Sequence, residues 1–230
     1  MRSALIVAGL LALAPVAPAS AAVGVSIGIN IPVYPRLVAV PGYPVYYAPG
    51  VDSNYFFYDG LYWDFDGTNW YSSAWYNGPW NLVDPYAVPV YLLRVPVRYY
   101  HHPPAWFRGW AVGGAPHWHE HWGTSWAERR ADWVHWDNHH GRIPARAPLP
   151  TYQRNYGGER YPRVEEQVRF HSQNYHYAPR EQVVQQHYAD HGYHAAVQRE
   201  EHRAAVRENR REERRDDRRD DRREERHDHR

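Results

Sequence analysis

The chain has 230 residues, 27 basic and 26 acidic side chains and a formal net charge of +1, so its charge balance does not point to nucleic acid as a partner. Cysteine is absent, which excludes disulfides, a thiol nucleophile, a thiolate metal site and a lipid-modified N-terminal cysteine. All the basic residues are arginine, histidine is abundant at 16, and aromatic residues make up 16% of the sequence.

In chain order, Arg2, an apolar run over residues 4–15 and the small-residue triplet Ala19-Ser20-Ala21 read as a secretory signal peptide over residues 1–21. The run is too short for the ~20 residues that span a bilayer, so no transmembrane anchor is expected after cleavage. The expected location is therefore periplasmic or secreted, in a Gram-negative bacterium.

Residues 22–100 form an aromatic, Pro- and Gly-punctuated block, predicted to be a β module. Extended segments are expected over 23–31, 36–40 and 45–47. The prolines at 32, 35, 41, 44 and 49 lack ladder donors and confine those segments to edges. The ring-dense stretch that follows holds the pairs Asp59-Gly60, Asp66-Gly67 and Asn77-Gly78, which tolerate the positive φ of two-residue hairpin turns. It reads as an antiparallel meander with strands over 55–58, 61–65, 68–75 and 80–83. Turns at 59–60 and 66–67 would set Phe57 opposite Tyr62, Phe56 opposite Trp63, Trp63 opposite Trp70 and Tyr62 opposite Tyr71. Alternation then puts Phe56, Trp63 and Trp70 on one face and Phe57, Tyr62 and Tyr71 on the other, beside Asp64. The first face is expected to be core. The second, Phe57, Tyr62, Tyr71 and Asp64, is either structural or a stacking platform for a glycan or an extended peptide. Residues 85–100 read as short helix or extended chain.

Residues 101–140 are rich in histidine and tryptophan. His117, His119 and His121 alternate, so on a strand they would share a face and offer three imidazoles to nickel, copper or zinc. Ser125 and Glu128 have capping-box spacing, which predicts a helix from Trp126 to about Asn138, with His135 and His139 one turn apart. Residues 141–179 are expected to be a Pro-interrupted linker with a short helix over 163–177. Residues 180–230 read as a helical arm, weakened by Gly192, that passes into a self-neutralising tail. Residues 199–230 carry 13 Arg and 12 acids, and their period of four stacks like charges at i,i+4, which predicts disorder towards the end.

No P-loop, dinucleotide fingerprint, G-x-S-x-G or H-E-x-x-H occurs, so a non-catalytic protein is expected. The stretches "VPVYLLRVPVRYYHHPPAWFRGW", "YFFYDGLYWDFDGTNWYSSAWYNGPW" and "APLPTYQRNYGGERYPRVEEQ" followed by "NYHYAPREQVVQQHY" resemble uncharacterised exported proteobacterial envelope proteins. A looser resemblance is to envelope proteins with aromatic-Gly-Trp repeats, whose Y-x-W-G-x-W spacing is missing here. The resemblance implies export and assigns no functional residue. The expected fold class is α+β. The expected role is interaction or stress response in the envelope, with an envelope protein or cell-wall component as partner. Histidine-mediated metal binding and peptidoglycan binding through the tyrosine face are the alternatives.

Overall fold

The computed structural model describes residues 28–136 and 143–193. The signal segment, His139 and the charged tail lie outside the described residues. Six strands form one antiparallel sheet in sequential order: β1 (Val38–Ala39), β2 (Tyr46–Tyr47), β3 (Asn54–Tyr58), β4 (Leu61–Asp66), β5 (Asn69–Ser73) and β6 (Asn81–Val83). Among the described residues six α-helices follow: α1 (Val90–Leu93), α2 (Trp118–Trp122), α3 (Thr124–Arg129), α4 (Ala131–Val134), α5 (Val164–Asn174) and α6 (Gln182–Asp190). The fold is α+β, a meander followed by Trp-rich helices. Among the described residues no helix is long and apolar enough to cross a membrane.

The β3–β4 hairpin has the expected register. Asp59 and Gly60 both take positive φ, 51° and 95°, and Phe57 faces Tyr62 while Phe56 faces Trp63. The β4–β5 hairpin is shifted. Its central residues are Gly67 and Thr68, so Asp66 faces Asn69, Phe65 faces Trp70 and Trp63 faces Ser72. Gly67, at φ 64°, is the positive-φ residue of this turn, and Asp66 therefore remains in the strand. The shift moves each partner by two positions. Because side chains alternate with period two, the sorting of faces survives it.

One face carries Phe56, Tyr58, Leu61, Trp63, Phe65 and Trp70 against Leu92 and Leu93 of α1, Trp118 and Trp126 of α2 and α3, and Val184 and Tyr188 of α6. Trp118 Nε1 donates to the Leu93 carbonyl at 2.8 Å, and Trp63 Nε1 to that of Tyr58 at 3.0 Å, so these buried indoles keep their polar atoms satisfied. The opposite face carries Tyr55, Phe57, Tyr62 and Tyr71 against Ile31, Ala48, Ala147 and Tyr175.

The segment expected as a linker supplies much of that second cover. Gln153 is fully buried; its Nε2 donates to the Ala74 carbonyl at 2.9 Å, and its Oε1 accepts from Tyr76 N at 3.2 Å. Tyr175 Oη donates to the Pro148 carbonyl at 2.6 Å. Prolines deny this segment a ladder, but side-chain bonds to the sheet's loops replace one. The β3–β4 turn anchors the chain that follows. Buried Asp59 accepts from Tyr177 Oη (2.6 Å), Arg180 N (2.8 Å) and Glu181 N (2.7 Å), holding the start of α6 to the hairpin. A side chain at Gly60 would meet the Tyr188 hydroxyl 2.6 Å away, so this turn needs glycine for space as well as for φ.

The expected helix over 126–138 is instead the two short helices α3 and α4, broken at Arg130. Ser125 lies inside α3 and makes no capping bond. Residues 28–31 form no strand, and the strands expected over 36–40 and 45–47 shorten to two residues each.

Candidate metal centre

Tyr100 is buried against Phe56 and Phe65, with ring centroids at 5.1 and 6.3 Å, and this anchors the chain on the indole face just before it leaves the sheet. The next two residues are His101 and His102. The backbone of His102 is clamped by Asn54 at the start of β3. Asn54 Nδ2 donates to the His102 carbonyl at 2.9 Å and to the Phe65 carbonyl at 2.8 Å, and Asn54 Oδ1 accepts from His102 N at 2.8 Å. Asn54 is itself only 3% exposed, so its amide is fixed and its bonds act as a rigid bracket. Pro103 and Pro104 follow, and their fixed φ stiffens the exit.

Asp52 precedes β3 by two residues and faces the pair. Its Oδ1 contacts His102 Nε2 in a short hydrogen bond and lies 3.7 Å from His101 Nε2. The two imidazole rings stand edge to face with centroids 4.6 Å apart. One donor atom from each of Asp52, His101 and His102 lies within 4.8 Å of the others. The hydrogen bond to His102, with its charge and that of His101, holds the Asp52 carboxyl below the ordinary aspartate range. The side chains are exposed, 90% for Asp52, 43% for His101 and 59% for His102, so a cation reaches them without opening the fold.

Two neutral imidazoles and a carboxylate form a set suited to a transition-metal ion such as nickel, copper or zinc. Ligand bonds to such ions are about 2.0–2.2 Å, and three protein donors leave positions for water or another ligand. The observed spacing requires modest side-chain rotation, while Asn54 keeps the backbone of His102 in place.

No protein-family model, curated protein or solved structure matches the chain. The reading of the site therefore rests on its own geometry.

The structure brings only two of the expected three histidines together: the rings of His117 and His119 lie 6.0 Å apart, both beside Glu120, and His121 turns away onto Trp106. The three lie at and within α2, not on a strand, and 3.6 residues per turn puts His119 and His121 about 200° apart around the axis. His117 Nδ1 pairs with Glu120 at 2.9 Å and its ring stacks on Trp110. His121 stacks on Trp106 with centroids 3.8 Å apart, and partial burial there lowers its pKa. The helical signal was present: Trp118, Trp122 and Trp126 are spaced by four, and successive rings lie 4.7 and 4.9 Å apart.

Phe57, Tyr62, Tyr71 and Asp64 share a face as expected, but that face is closed. Phe57, Tyr62 and Asp64 have no exposed area and Tyr71 retains 9%, because residues 29–51 and 147–177 cover it. A glycan has no access to those rings. Asp64 is nonetheless unusual. Burial raises its pKa to about 7, with the Ser53 hydrogen bond opposing and Asp66 adding to the rise. Ser53 Oγ donates to its Oδ2 at 2.5 Å, while Oδ1 is buried with no hydrogen-bond partner among the described residues.

Nothing in the local sequence linked Asp52 to the histidine pair, since the contact spans 50 residues. The His101-His102 doublet beside two prolines was visible. Its carboxylate and its Asn54 bracket depend on tertiary structure alone.

Proposed function

We propose that this chain is an exported, non-catalytic protein that binds or buffers a transition-metal ion through Asp52, His101 and His102. The observation that carries this reading is the convergence of three metal-compatible donors, from two remote segments, on one exposed point. The role is a specific form of the envelope or stress function suggested by the sequence resemblance. The periplasmic location rests on the signal-like residues 1–21.

An open, three-donor site suits reversible capture better than permanent structural binding. Structural sites are usually closed by four ligands, whereas this one leaves coordination positions to solvent. Calorimetric titration of the full chain with nickel, copper and zinc tests the proposal. One ion is expected to bind tightly per chain, and the His101→Ala, His102→Ala double variant is expected to abolish that phase. Equal affinity in the double variant removes the proposal. Cell fractionation tests the location independently.

A further inference from the structure

A cavity of about 630 Å³ opens beside the metal centre, between the β4–β5 hairpin, the residues preceding β3 and the chain at 28–31. Among the described residues its ionisable wall residues are Asp52, Asp64, Asp66 and His102, and none is an arginine. Apolar wall is supplied by Ile31 and Phe65. Asp64 is the buried member. One carboxylate oxygen is bonded to Ser53, and the other has no donor among the described residues.

Buried carboxylate oxygens in folded proteins are nearly always hydrogen-bonded, so an unpartnered one is a place where a bound species, or water, supplies the donor. Three carboxylates, with no arginine among the described residues of the wall, select a positive species. The volume is that of a site for an organic molecule rather than for a bare ion. The apolar wall accommodates an alkyl stem, and an ammonium group brings several N–H donors and a charge.

We propose that this cavity binds a small aliphatic amine, with its ammonium group on Asp64 and its alkyl stem along Ile31 and Phe65. The cavity shares Asp52 and His102 with the metal centre and differs from it in its key residue: Asp64 is not a metal donor, and His101 does not line the cavity.

The test is calorimetric titration of the full chain with 1,4-diaminobutane and with its neutral analogue 1,4-butanediol. The diamine is expected to bind and the diol to give no saturable heat. Asp64→Asn is expected to weaken diamine binding at least tenfold, and Asp66→Asn, at the exposed rim, about threefold. His101→Ala is expected to lower metal affinity while leaving diamine affinity within twofold. Equal behaviour of diamine and diol overturns the proposal, as does undiminished diamine binding in Asp64→Asn. Should Asp64→Asn fail to fold, Asp66→Asn decides: unchanged affinity there overturns the proposal. Loss of diamine binding in His101→Ala overturns the separateness of the two sites.

Discussion

Two histidine-bearing regions of this molecule behave in opposite ways. At 117–121 three histidines are packed into five residues, yet the helix that Trp118 and Trp122 stabilise leaves only His117 and His119 side by side and turns His121 onto Trp106. At 101–102 two histidines sit beside no local acid, yet the sheet returns Asp52 to them from 50 residues away. Density along a sequence thus says little about a metal site. What matters is whether rigid backbone brings donors to one point, and here Asn54 supplies the rigidity.

The comparison can be broken most decisively by paired variants. Replacing His101 and His102 by alanine should lower metal affinity at least 100-fold, about 2.7 kcal/mol. Replacing His117, His119 and His121 should lower it less than threefold. Equal losses in the two variants would erase the distinction. Asn54→Ala sharpens it by testing position rather than ligation. One buried and two part-buried hydrogen bonds disappear, so urea denaturation should show a loss of about 2 kcal/mol. Metal affinity should fall about tenfold in the protein that remains folded, as for other residues that hold ligands in place.

A third histidine separates structural from exposed imidazoles. His187 is buried in α6 beside His191 and His171, and burial first, then those neighbours, lowers its pKa to about 3. The folded state therefore resists protonation that the unfolded chain accepts at about 6.5. Its stabilising contribution is complete above pH 6.5 and declines as pH falls towards 3. Between pH 7 and pH 5 the loss should be about 2 kcal/mol. In His187→Gln this part of the pH dependence should vanish, as read from urea midpoints at both pH values. At Asp52 the expected effect on metal affinity equals that at Asn54. Asp52→Asn keeps an oxygen donor but removes its charge, and metal affinity should fall about tenfold in the same titrations.

Much of the fold was legible because its signals are local. Asp59-Gly60 announced a turn that requires two positive φ angles, and period-two alternation sorted Trp63 from Tyr62. The second hairpin was misplaced by the ambiguity of Asp66-Gly67-Thr68, where one glycine satisfies either of two turn types. The cover over Tyr62 and Tyr71 was not legible. It is built from proline-rich chain whose attachment runs through single bonds such as those of Gln153 and Tyr175. Asp59 was read as a turn residue alone, although the same carboxylate also receives Tyr177, Arg180 and Glu181. The metal centre was least legible, since Asp52 and Asn54 gain their roles only when β3 meets the chain at 102.

Site-resolved NMR of the full chain during addition of substoichiometric copper(II) tests the metal assignment most directly. Paramagnetic broadening should begin at the imidazole signals of His101 and His102 and the backbone of Asp52, with His117, His119 and His121 retaining their signals. Broadening that starts on the α2 histidines, or spreads evenly over all of them, would contradict it.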